Sequence, residues 1–225
     1  MSGRAWGSVH YEDLTLAELA SGPGGTDANL LRALCARIER FEPECMEIVP
    51  AQLEALGEID RSRFCLRVRS EAHACAYPGF ARYALPSEQH RSYVSLWRPP
   101  AMNDLPQAPT MRMAGPDGLA IGTALARLIQ YGRAMGGGVS LCPDDSRHMA
   151  TANAVQWILA GGARFAASFG GVGNRAAAEE VALALRLHGR FHGDDCLKSL
   201  PEMRAIIEEI RSEPFALDKA VMGER

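Results

Sequence analysis

The stretch SLCPDDSRHMATANAVQWILAGGARFAASFGGVGNRAAAEEVALAL, Ser140 to Leu185, gathers the side chains best suited to chemistry. Cys142, Pro143, Asp144 and Asp145 close a short apolar run, at the strand end where a barrel enzyme keeps its reactive groups. His148 follows and has two readings, a base or a solvated capping group at a helix start. The turn GGVGNR, Gly170–Arg175, precedes a helical pattern. It fits an anion site at a helix N-terminus, and equally a tight strand-to-helix turn that needs residues with positive φ. Asp194 and Asp195 read as a solvated turn, and Cys65 and Cys75 as core or helix packing.

Alternating elements must position these groups. Apolar runs at Val9–Leu16, Cys45–Val49, Phe64–Val68, Tyr93–Trp97, Met111–Ala114, Val139–Leu141 and Arg164–Phe169 are strand candidates. Between them lie helical patterns at Asp27–Phe41, Ile121–Met135, Thr151–Ala160 and Ala176–His188. Strand and helix in alternation predict an α/β fold with a parallel sheet, either open and doubly wound or closed as a (β/α)₈ barrel. Barrels usually take about 250 residues, so 225 leaves this chain roughly one βα unit short. The shortfall falls on RPPAMNDLPQAP, residues 98–109, which is either a surface loop or the scar of a deletion around residues 98–110. Pro201 opens a further helix near Ser199 and Pro214 ends it. The expected division is a barrel domain over residues 1–197 and a C-terminal helical extension over 198–225.

Composition narrows the function classes. With 24 basic and 27 acidic residues and no basic block, nucleic acid is not an expected partner. No run is long and apolar enough for a membrane span, and the first residues carry no signal core, so no membrane association is expected and the expected location is the cytoplasm. Six cysteines scattered singly predict reduced, mostly buried thiols rather than bridges.

Met149–Ala176 resembles the signature of the homocitrate synthase and isopropylmalate synthase family, whose pattern H-x-H-N-D-x-G-[LM]-A-T-A-N is followed about seventeen residues later by G-[LIV]-G-E-R-A-G-N. Ala150–Asn153 and Gly171–Arg175 keep the spacing, and Glu179-Glu180-Val181 match the following L-E-E-V. Shorter echoes are MRMAG from Met111, CMEIV at Cys45–Val49, and YEDLTLAEL, where Asp13, Thr15 and Leu16 match D-T-T-L-R-D-G. These short signals are most similar to the homocitrate synthases of nitrogen-fixing bacteria.

The resemblance implies a metal-dependent (β/α)₈ enzyme that transfers acetyl from acetyl-CoA to a 2-oxo acid such as 2-oxoglutarate. It implies substrate contacts from Asp13, Thr15, Thr151, Asn153, Gly171, Gly173, Asn174 and Arg175, and a homodimer or pairing with a full-length relative. It also implies one divalent metal, Mg²⁺, Mn²⁺ or Zn²⁺, held by a first-strand aspartate, two histidines and an asparagine. Here those positions carry Glu18, Cys142 and Asp144, and the asparagine is deleted. Ala17 replaces the arginine expected to stabilise the enolate, and Gly115 and Pro116 replace the aspartate and threonine of the A-D-T-V-G strand. The family's later F-x-H-x-x-G-I-H segment is expected just after KAVMGER, past Arg225. Glu18, Cys142 and Asp144 form either a substitute metal site, since carboxylates and thiolates bind zinc, or a drifted barrel mouth with weak or lost activity. No catalytic residue is assigned. The alternative function is a non-catalytic homologue that binds a small acid or pairs with an active relative.

Overall fold

The computed structural model describes residues 5–20, 27–80, 82–86, 93–97, 111–115, 139–145 and 148–215. Among them eight strands close a barrel in chain order: β1 His10–Asp13, β2 Cys45–Ile48, β3 Phe64–Arg67, β4 Arg82–Pro86, β5 Tyr93–Trp97, β6 Met111–Gly115, β7 Val139–Pro143 and β8 Arg164–Ala167. The barrel closes through β1 and β8, which run parallel with Tyr11 opposite Phe165. Strands β7 and β8 are parallel too, Leu141 opposite Phe165, as a βα unit between them requires.

The departure from (β/α)₈ lies at β5, which runs antiparallel to both β4 and β6. A parallel crossover needs a dozen or more residues, and only residues 87–92 separate β4 from β5, which is too few for one and agrees with the antiparallel pairing of the two strands. The barrel is therefore incomplete in a specific sense. Among the described residues it has eight strands, of which β5 runs opposite to both its neighbours. The sequence pattern gave seven strands and missed β4. The tract 98–110, the expected helix Ile121–Met135, Pro116 and the C-terminal tail from residue 216 lie outside the described residues.

Strand parity sets what faces where, because successive side chains alternate between the two faces. Tyr11, Met46, Ile48, Phe64, Leu66, Tyr83, Leu85, Leu141, Phe165 and Ala167 all join the main apolar core beneath the helices. The intervening positions line the barrel, with small clusters of Cys45, Cys65 and Ala84 and of Leu14, Cys142 and Ala166. The same parity places Glu12, Glu47, Ser140 and Arg67 on the barrel face, all but Arg67 fully buried.

The expected helices form with small shifts, at Ala28–Glu39, Ala150–Leu159 and Ala178–Leu187. Asp27 caps the first by accepting from Asn29 N and Leu30 N at 3.0 Å each. Leu200–Arg211 carries proline in its first turn and buries Leu200, Met203, Ile207 and Ile210, with Arg37 of the Ala28–Glu39 helix paired to Glu202. Phe215 beyond it lies where a Cβ on Gly170 would stand, so the turn after β8 is packed under the C-terminal segment. Cys65 is buried as expected. Cys75, expected to pack, is exposed, because Ala74 is the buried residue of its short helix Glu71–Cys75. Asp194 and Asp195 open a short helix, Asp194–Leu197, rather than a turn.

Candidate functional site

Strand β1 is shorter than its apolar run because Asp13 turns the chain. Its buried carboxylate accepts from Thr15 N at 2.9 Å and Thr15 Oγ1 at 3.1 Å, and Tyr11 Oη also donates to it. Such a bond from a carboxylate to the backbone two residues on ends the strand and starts the helix Thr15–Leu19. Thr15 Oγ1 in turn accepts from Phe169 N at 2.9 Å, which ties this turn to the one after β8. Burial pushes the Asp13 carboxyl up to about 7, although Tyr11 and Thr15 hold it down, and burial with the nearby Asp13 charge raises the Tyr11 phenol. Asp13 and Thr15 thus have their hydrogen bonds within the chain.

The turn Asp13–Thr15 delivers Glu18 to the carboxyl end of the parallel strands. There Glu18 Oε1 accepts from Arg67 Nη2 at 2.8 Å and from Arg175 Nε and Nη2 at 3.2 Å each. Arg67 is the last residue of β3, and its Nε also donates to Glu47 on β2. Arg175 follows β8, and its backbone bridges Asp144 just past β7. Asn174 Nδ2 donates to Asp144 Oδ1 at 3.0 Å, and Cys142 is buried on β7 beside Leu14 and Ala166. The Arg175 guanidinium is held more firmly charged, first by Cys142 and then by Glu18, against burial. Glu18, Asp144, Asn174 and Arg175 therefore meet at one mouth, with Cys142 in the same neighbourhood.

Gly173 has φ of 67°, a region that costs other residues strain, and a Cβ there would overlap the Glu18 carboxylate. The glycine is needed twice over, for its turn and for the close approach of Glu18. The anion lying against the turn is the chain's own. At the helix behind it, Gly170 N donates to both oxygens of Glu179, so the start of Ala178–Leu187 also has an internal carboxylate.

The remaining sequence-predicted residues form a second group. Thr151 Oγ1 donates to Glu180 Oε2 at 2.9 Å and accepts from Ala177 N at 3.2 Å, which joins two neighbouring helices. Thr151 and Gly171 border a cavity of about 200 Å³ with Asp145, His148, Glu179 and Glu180. His148 is strongly exposed, in keeping with a solvated group, at φ of 55°. Asn153 is buried, and its Oδ1 has no hydrogen-bond partner among the described residues.

Among the described residues the donor set does not fit a divalent metal. Structural and catalytic sites of the expected kinds use three or more protein ligands. Among the described residues no group of three His, Cys, Asp or Glu side chains is placed to hold one. Of the two carboxylates at the mouth that stand at expected ligand positions, Glu18 is shared between two guanidinium groups, whose charge opposes a dication, and Asp144 accepts from Asn174. Arg67 and Glu47 were not found by sequence reasoning. Glu47 sits in CMEIV, which matched the family's second strand, but the signal for Arg67 was only the charged position of an alternating strand.

No family model matches the chain, and no curated protein matches it. Among solved structures it is similar to an HMG-CoA lyase from Bacillus subtilis, with a TM-score of 0.60, 14% identity, and coverage of 92% of this chain and 95% of that chain. An HMG-CoA lyase from Acinetobacter baumannii, solved with coenzyme A and 3-methylmalate, aligns with a TM-score of 0.48 and 10% identity over 94% of each chain. The first of these likenesses shows a barrel fold of the same kind.

Proposed function

We propose that this chain is a barrel of the acetyl-CoA-condensing class in which metal-dependent condensation is weak or lost, and which binds a small carboxylic acid at the mouth. One observation carries the reading: Glu18, at the family's metal-ligand position, lies between Arg67 and Arg175. The family reaction needs a metal-polarised ketone, a base for the acetyl proton and positive charge near the enolate. Glu18 is committed to arginines, and Ala17 stands where the family has its arginine.

The two guanidinium groups supply a different means of holding an acid. Arginine pairs with carboxylate through directed N–H donors and keeps its charge at any relevant pH, so the mouth recognises a carboxylate without a Lewis acid. The similarity to an HMG-CoA lyase supports placing the barrel near CoA-thioester enzymes in architecture. The resemblance of Ala150–Asn153 and Gly171–Arg175 to the condensing family supports a 2-oxo acid as the ligand class.

The test combines thiol release and binding. With acetyl-CoA and 2-oxoglutarate under Mg²⁺, Mn²⁺ or Zn²⁺, CoA release should stay at the no-protein background, while calorimetry should detect 2-oxoglutarate binding without metal. Release that depends on the 2-oxo acid and is abolished by EDTA and by Asp144→Ala would replace this reading with an active enzyme. Absence of acid binding would remove the recognition half.

A further inference from the structure

We infer that Arg67 and Arg175 form a carboxylate site whose resident occupant is the Glu18 side chain, so that an incoming acid competes with the chain's own carboxylate. The inference rests on the acid-binding reading above and adds the subsite and its control.

The geometry is that of a bound carboxylate. Arg67 Nη2 approaches Glu18 Oε1 from β3, and Arg175 Nε and Nη2 approach the same oxygen from the turn after β8. Gly173 forms the wall against the other oxygen, where a Cβ would collide with it. Two cations, one from strand β3 and one from the turn after β8, and a bare backbone thus enclose one carboxylate group, and that group is tethered to the helix Thr15–Leu19.

The site has capacity beyond its occupant. A guanidinium carries five N–H donors. Arg67 uses Nε and Nη2, and Arg175 uses Nε and Nη2, so Nη1 of each has no acceptor among the described residues. The side chains are 36% and 23% exposed, so a solute in the mouth reaches them. Glu18, at 12%, is mostly covered by the groups it pairs with. Within this group Glu47 and Glu18 balance the two arginines. Withdrawing Glu18 leaves Arg175 without its glutamate and Arg67 with Glu47, so the place of the carboxylate becomes more positive by one charge.

Competition follows from tethering. An attached group faces its partner at high effective concentration, and an external ligand binds only in the fraction of molecules where that group has swung away. The unmodified chain should therefore bind small acids weakly, and loss of the Glu18 carboxylate should strengthen binding.

The Glu18→Ala variant removes Cγ and the carboxylate, an acetate-sized piece, so acetate is the probe. Thermal unfolding and calorimetric titration with sodium acetate, against sodium chloride at equal ionic strength, are compared for the unmodified chain, Glu18→Ala and Glu18→Ala with Arg175→Gln. The expected result is an acetate-specific rise in melting temperature for Glu18→Ala, binding at least about tenfold tighter than in the unmodified chain, and loss of both in the double variant. Equal acetate response in all three proteins, or none in folded Glu18→Ala, overturns the inference. If Glu18→Ala does not fold, Glu18→Gln carries the same comparison with 2-oxoglutarate: tighter binding than in the unmodified chain supports it, and no gain overturns it. Acetate rescue of Glu18→Ala without 2-oxo acid binding by the unmodified chain would sustain this subsite and remove the proposed function. Binding by the unmodified chain that Glu18 substitution leaves unchanged would do the reverse.

Discussion

The two ends of the barrel each carry a glutamate held by two arginines, and they hold it differently. At the amino end, Glu44 gives one oxygen to Arg82 and the other to Arg164, and His10 Nδ1 lies 3.1 Å from the second. At the carboxyl end, Glu18 offers a single oxygen to Arg67 and Arg175, at 2.8 and 3.2 Å. The amino-end arginines are 11% and 19% exposed, and the carboxyl-end pair more so. The first arrangement engages both oxygens of its carboxylate and covers its arginines more fully, while the second leaves donors facing an open mouth. In parallel barrels the amino face serves stability and the carboxyl face carries ligands, and the acid site proposed above lies on the second.

Breaking the amino-end group should produce the largest effect. Glu44→Ala strands two mostly buried guanidinium groups and should cost about 3–5 kcal/mol in urea unfolding, with acid binding at the other end unchanged. Glu18→Ala should cost only about 1 kcal/mol, since Arg67 keeps Glu47 and both arginines reach water. Equal losses would erase the distinction between the two ends.

Acidity sharpens the same contrast. Burial alone would raise the Glu44 carboxyl, but Arg164 and Arg82 hold it at about 2, so its stabilisation is full above its ordinary 4.5 and is lost as pH falls through about 2. Asp13, at the carboxyl end of β1, has the opposite sign. Its folded value of about 7 exceeds its ordinary 3.8, so stability is greatest below about 4, declines as pH rises through about 7 and then levels. The expected decline is on the order of 4 kcal/mol, read as a falling urea midpoint between pH 4 and 8, and Asp13→Asn should flatten it. A flat profile in the unmodified chain would contradict the burial of an ionised Asp13.

Gly173→Ala is a finer probe of the carboxyl end. Positive φ should cost about 1–2 kcal/mol, and the new Cβ should push Glu18 off its arginines and raise acid affinity. Lower stability with unchanged affinity would mean that Glu18 does not compete. The smallest effect is expected from Thr151→Val, about 1 kcal/mol for its bonds to Glu180 and Ala177, with acid binding unaffected because Thr151 belongs to the separate second group.

How much of this was legible follows from what is local. The outward face of the strands, Tyr11, Met46, Ile48, Leu66 and Phe165, reads as apolar runs, which is why the alternation and the barrel were predictable. Strand β4 escaped because RYALP begins with a charged residue that pairs with Glu44 across the barrel and ends in proline. The reversal of β5 is set by the length of residues 87–92, not by its own sequence. Motif spacing, which carries strand order, groups Glu18, Asp144, Asn174 and Arg175, and these four side chains share one mouth. Arg67 is not grouped with them, since its meaning comes from Glu18 and Glu47 on other strands and no local spacing records that.

The most direct test of the central claim, that guanidinium groups stand where the condensing family holds its metal, is Mn²⁺ binding followed by the electron paramagnetic signal of the free ion. A mouth organised by Arg67 and Arg175 around Glu18 predicts that the free Mn²⁺ signal is unchanged by an equimolar amount of protein, in the unmodified chain and in Asp144→Asn alike. Loss of that signal at one equivalent, restored by Asp144→Asn or Glu18→Gln, would show a metal site at the mouth and contradict the account.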